Sequence, residues 1–223
     1  MIDLPEMPKR IQRLPKDERG YPAPRFVQWL KADGQPTGRF YDPEAKPDFR
    51  YADPEFRARA FKTGLCWVCG EPTGVHKVYV IGPMCVINRT TMEPASHRDC
   101  AEWSVRACPF LLRPRQKRNE KGLDPEASAP GTGLKRNPGC VCLYETREAT
   151  RFSDGAGSWL IRLGLPDRVD WLAEGRQATR AEIQASIDGG YPLLLGPAMD
   201  EGQEAVDELT RMTHDALKLL PAA

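Results

Sequence analysis

An α+β fold is what this sequence predicts, on three observations. Two short Cys/His pairs bring distant segments to one point, apolar runs of strand length are bounded by Gly and Pro, and several segments carry the end signals of helices. The pairs are the most informative. Two residues separate Cys66 from Cys69, two separate His97 from Cys100, and about 27 lie between the pairs. Structural zinc takes four tetrahedral ligands, commonly Cys₃His, and a pair with this spacing closes on one ion without straining the backbone. Gly70, next to Cys69, supplies the positive φ that a thiolate-presenting turn needs. Cys66, Cys69, His97 and Cys100 are therefore assigned as Zn²⁺ ligands. Sites closed by four protein ligands are mostly structural, so the pattern speaks to folding before activity.

Composition sets the frame. A chain of 223 residues, 40% of them hydrophobic, fits one domain or two small ones. No apolar stretch approaches the roughly 20 residues that span a bilayer, and the Pro-rich, charged segment 1–16 lacks the apolar core of a signal peptide. No membrane partner and a cytoplasmic location are expected. Seven cysteines, three of them given to metal, fit a reducing compartment better than a disulfide framework. A formal net charge of +1 exerts no global pull on nucleic acid or membrane, so any electrostatic recognition must be local.

Along the chain, Arg25–Leu30 is the strand candidate of the Pro-rich first forty residues, ended by Asp33 and Gly34. Asp53, Pro54 and Glu55 open a short helix with Asp53 as N-cap and Gly64 as stop, its buried face being Phe56, Ala60 and Phe61. Val75–Ile81 and Met84–Ile87, on either side of Gly82 and Pro83, read as a hairpin or two short strands. Ser96–Cys100 then starts a helix that runs through Ala101, Trp103, Val105 and Ala107 until Pro109.

Knuckle, hairpin, helix is the order of the treble-clef zinc finger, which the segment 64–110 resembles. That resemblance implies that the first ligand pair comes from a knuckle and the second from the start of a helix. The wider pattern around Cys66–Gly70, Val80–Cys85, Asn88–Arg89, Glu93–Pro94, Ser96–Ala101 and Ala107–Leu111, continuing through Gly175–Arg176 and Ala178–Glu182, resembles a family of uncharacterised proteins from bacteriophages and their bacterial hosts. It implies a phage-encoded protein in the host cytoplasm and carries no activity.

Residues 113–139 read as a loop-like, basic linker between a zinc-binding region, 1–112, and a C-terminal region, 140–223. Arg113, Arg115, Lys117 and Arg118 could contact phosphates, although no aromatic residues are interleaved to stack on bases. In the C-terminal region Val141–Tyr144 and Ser158–Leu163 are expected to pair as strands. Pro166 and Asp167 open an expected helix through Val169, Trp171 and Leu172 to Gly175. Thr179 and Glu182 form a capping box for another helix ending at Gly189 and Gly190. A final amphipathic helix, about Gln203–Leu220, aligns Val206, Leu209, Met212, Ala216, Leu217 and Leu220. The two helices across Gly175–Ala178 invite a helix-turn-helix reading with Arg176 and Arg180 at the recognition end, although any αα-hairpin needs the same loop.

No phosphate-binding loop, dinucleotide fingerprint or serine elbow is present. A treble-clef, HNH-like metal-dependent nuclease would need a general-base His and a further metal ligand, and His76 and Asn88 are the candidates near the knuckle. Cys85 and Cys108 read as small buried hydrophobes, while Cys140 and Cys142 would share one strand face without a second pair. The sequence thus points to a non-enzymatic zinc-binding module whose partner is protein or nucleic acid.

Overall fold

The computed structural model describes residues 4–114, 116, 117, 119, 121, 137–153, 155 and 157–222. Helix and sheet are mixed, as the α+β reading requires. By its contacts the chain falls into two compact units, one of residues 1–78 and 93–104, the other of 79–92 and 105–223. The sequence boundaries at 112 and 140 group the segments 79–92 and 105–112 differently.

In the first unit a single turn, α1 (Lys9–Gln12), precedes the antiparallel pair β1 (Val27–Leu30) and β2 (Lys46–Ala52). Helix α2 (Pro54–Thr63) is built as its end signals dictate. The Asp53 carboxylate accepts the Glu55 and Phe56 N–H groups at 2.9 and 3.1 Å, and Gly64 closes the helix in the left-handed region, φ 66°. Phe56 and Ala60 are buried while Phe61 is half-exposed. The indole of Trp67 is sandwiched between Phe26 and Phe56, with centroids at 4.7 and 5.7 Å and near-parallel planes. This aromatic layer, with Ala60 and Leu65, is a hydrophobic cluster directly beside the first Cys pair.

Strand β3 (Lys77–Ile81) is followed by helix α3 (Pro83–Asn88), not by the second strand expected over Met84–Ile87. Pro83 explains the difference. Its fixed φ and missing N–H suit the first helical position, and a four-residue apolar run is too short to define a period. The short strand β4 (Thr90–Thr91) and helix α4 (Arg98–Ala107) follow, the helix at the expected place, and a further turn, α5 (Pro109–Leu112), lies beyond it.

In the second unit β5 (Val141–Thr146), β6 (Ala149–Ser153), β7 (Trp159–Leu163), β8 (Arg168–Ala173) and β9 (Arg176–Gln177) form most of two sheets, ordered β3-β5-β8-β9 and β4-β7-β6. The expected strands over Val141–Tyr144 and Ser158–Leu163 both form but lie in different sheets. β5 pairs with β8, and β7 pairs with β6 and β4. The segment expected as a helix after Pro166 is β8. Glu174 and Gly175 both take positive φ, 52° and 74°, which is the two-residue hairpin geometry that turns β8 into β9. With a strand before it, no helix-turn-helix exists across Gly175–Ala178.

Helix α6 (Arg180–Gly190) starts at the capping box, with both reciprocal bonds of Thr179 and Glu182 present. It ends at Gly190, within the expected pair Gly189 and Gly190. Gly190 stays helical where its missing side chain admits Met84 of α3, and α7 (Pro192–Glu201) follows at once. The last helix, α8 (Gln203–Leu217), buries Leu209 and Ala216 of its stripe, and Leu220 beyond it is buried too. Asn137 and Gly139, placed in the expected linker, are packed. Asn137 donates to the Phe110 and Leu111 carbonyls at 2.6 and 2.9 Å and accepts the Gly139 N–H. Residues 122–136 of that linker lie outside the described residues. Among the described residues no helix is long and apolar enough to cross a membrane.

Candidate metal centre

Cys66, Cys69, His97 and Cys100 converge, with their ligand atoms all within 4.8 Å of one another. Local backbone chemistry places each pair. The Cys66 N–H donates to the Glu71 carbonyl at 2.7 Å and the Gly70 N–H to the Cys66 carbonyl at 2.9 Å, so 66–71 closes into a tight knuckle. Gly70 supplies the turn with φ 79°. Both the Cys69 and His97 backbone N–H groups point at Cys66 Sγ, 3.4 Å away, as donors do around a thiolate.

The second pair is carried to the knuckle by backbone bonds. The Trp67 N–H donates to Ala95 O at 2.8 Å, and Ser96 exchanges two backbone bonds with Val78 at the start of β3. His97 follows, and Cys100 sits buried in the first turn of α4. The Nε2 of His97 lies 2.8 Å from the Pro72 carbonyl, an acceptor only, so Nε2 carries the proton and Nδ1 presents its lone pair to the sulfurs. Nδ1 is 3.4 Å from Cys69 Sγ and 3.9 Å from Cys100 Sγ. A tetrahedral zinc ion would set S···N separations near roughly 3.6 Å and S···S near roughly 3.8 Å. The two Nδ1 distances bracket the first value, and three thiols with one imidazole are a donor set that suits such an ion.

Electrostatics agree with a cation-binding cage. Without an ion, negative charge gathers on Cys66, which hydrogen bonds from Cys100, then Cys69, hold well below the usual thiol range. The contact with Cys66 in turn pushes the Cys100 thiol far up and raises the His97 imidazole. A divalent metal would replace these shared protons, releasing them on binding. Arg10 braces the centre from outside, its Nε 3.1 Å from Glu71 Oε2 and its Nη1 3.0 Å from Asp99 Oδ2. Arg13 reaches Glu71 Oε1 at 3.3 Å. A Cys₃His zinc site carries a formal charge of about −1, and these guanidiniums lie on its acidic flank. Nothing local in the sequence marks Arg10, which lies 61 residues from Glu71 and 89 from Asp99.

The other candidates do not join this centre. His76 is exposed, and the Asn88 side-chain oxygen accepts the Thr90 N–H at 3.0 Å. Arg113 and Lys117 are exposed, while Arg115 and Arg118 lie outside the described residues. Arg176 is committed to Glu182 at 2.6 Å, and Arg180 donates to the Pro221 carbonyl. Cys140 and Cys142 are buried, which pushes the Cys140 thiol up to about 11 and Cys142 well above its ordinary value. Cys85 and Cys108 are half-buried. Among the described residues no second group of three or more potential ligands forms. No protein-family model, no curated protein and no solved structure matches this chain.

Proposed function

We propose that this chain is a zinc-stabilised, non-enzymatic binding module built on a treble-clef arrangement, acting on protein or nucleic acid. The observation that carries the reading is the closed ligand set. The chain itself supplies four candidate ligand atoms, three sulfurs and one imidazole nitrogen within 4.8 Å of one another, the number that closes a tetrahedral site, whereas a catalytic zinc keeps one position open for water or substrate. The knuckle at 66–71 and the second pair at the entry to α4 support the treble clef, with β3 and α3 standing where that order has a hairpin. A metal-dependent nuclease would need a second, catalytic cation held by residues such as His76 and Asn88. Asn88 already spends its side-chain oxygen on capping the chain at Thr90.

The test combines metal analysis with a cleavage assay. One zinc per chain and intact plasmid after incubation with Mg²⁺ are expected. Cleavage that disappears in His76→Ala, with zinc retained, would replace the binding module by the nuclease.

A further inference from the structure

The sheet β4-β7-β6 carries a surface that the zinc centre does not use. Its register places Thr90, Arg162 and Thr150 in one cross-strand row and Leu160 with Phe152 in the next, all on one face, and none of the five is buried. The alternate residues Ile161 and Leu163 are 0% and 2% exposed, so the core lies on the opposite side. On the outer face the Arg162 guanidinium lies over the Phe152 ring, 5.0 Å from its centroid. On the other face, at the sheet edge, Arg151 lies over Trp159 at 4.7 Å. Both arginines are exposed.

Among the described residues neither Arg151 nor Arg162 makes an ion pair, whereas the nearby Arg147 and Arg168 are matched to Asp167 and Asp170. A guanidinium over a ring is held there by the ring's quadrupole, which leaves the N–H donors that point away from the ring available. The two groups lie on opposite faces of the hairpin, either side of the edge strand β6, so a chain passing over that edge meets phosphate donors and aromatic rings on both. A ligand that alternates negative charge with flat aromatic faces meets both, and a single-stranded polynucleotide is that ligand. A duplex hides its base faces, and an acidic peptide supplies charge without them.

We propose that the β6–β7 hairpin binds single-stranded nucleic acid, with Arg151 and Arg162 on phosphates and with Phe152, Trp159 and the guanidiniums they carry against bases. The proposal does not depend on the metal. Two neutralised phosphates give a slope of log K against log salt of about −1.4 from this hairpin.

Anisotropy titrations of the full chain with a labelled single-stranded DNA 20-mer, the RNA of the same sequence, the DNA duplex and a polyglutamate peptide test it. Arg151→Gln with Arg162→Gln, both exposed positions, should weaken single-strand binding about tenfold or more and reduce the salt slope by about 1.4. Phe152→Leu with Trp159→Leu should weaken it about tenfold with the slope unchanged. The DNA and RNA arms tell which polymer is preferred. Unchanged single-strand affinity in the arginine variant, equal affinity for duplex, or loss confined to polyglutamate would each overturn the proposal. So would binding that vanishes only when Arg113, Arg115, Lys117 and Arg118 are all replaced by Ala.

Discussion

Replacing Gly70 by Ala should loosen the metal centre without touching a ligand. The residue sits at φ +79°, and a Cβ there would lie 2.8 Å from Arg25 Cγ and 3.4 Å from Arg25 Cβ. Forcing an L-residue into the left-handed region costs about 1 kcal/mol. The contact cannot be relieved cheaply, because the Arg25 N–H is bonded to the Val68 carbonyl at 2.7 Å and its guanidinium is stacked over Phe40 and Phe56 at 4.3 and 4.4 Å. Overpacking of this kind adds about 1–3 kcal/mol. The total, about 2–4 kcal/mol, should appear in zinc affinity, since the binding free energy of a structural site is folding free energy. Competition with a chromophoric chelator should show zinc held about 30- to 1000-fold more weakly. Gly74→Ala is the control. Its φ is +76° but nothing lies within 4 Å of the added carbon, so only the backbone cost of about 1 kcal/mol should remain. If the two variants bind zinc equally well, the reasoning about the knuckle's packing fails.

Cys66→Ser and Cys100→Ser should lower zinc stoichiometry and melting temperature together, whereas Cys85→Ser should keep the metal. Full zinc occupancy in both ligand variants, by metal analysis, would remove the assignment. Glu182 accepts from Arg176 and from Thr179, and these bonds, that of Arg176 first, hold its carboxyl at about 2 rather than 4.5. A depressed carboxylate stabilises the fold above its unfolded value and loses that contribution as pH falls through the folded one. The difference in urea midpoint between wild type and Glu182→Gln should therefore be constant above about pH 5 and close between about pH 4.5 and 2. A difference independent of pH would separate the capping box from the ionised carboxylate. Thr179→Ala should cost about 1 kcal/mol by urea denaturation, and a change within error of zero would mean that α6 does not need its cap.

What was legible in the sequence is what short-range chemistry writes there. The ligand pairs, the Asp53 to Gly64 helix and the Thr179 and Glu182 box each depend on residues a few positions apart, and each signal is of a distinctive type. Where the signal is generic, local sequence does not decide between strand and helix. A short apolar run after Gly82 fits strand or helix, and Pro83 alone favoured the latter. Pro166 and Asp167 look like a helix opening, yet the two positive-φ residues at Glu174 and Gly175 mark the hairpin that actually follows. Strand partnership was not readable at all. Whether β5 meets β7 or β8 depends on the fold of the whole unit, not on either strand's composition. The same holds for Arg10, whose partners are remote in the chain, and for the arginines of β6 and β7, which gain their meaning from the rings beneath them.

The position of Trp67 has a consequence in time. It stands between Cys66 and Cys69 in the chain and between Phe26 and Phe56 in space, so one four-residue segment belongs both to the sulfur cage and to the aromatic layer. Closing the cage and closing the aromatic layer therefore draw on the same backbone segment. If the two interiors form together, an encounter with zinc becomes productive only when the rings close as well. Metal uptake should then be limited by a conformational step. Above a threshold concentration the loading rate would level off and report how fast this segment folds, not how often zinc arrives.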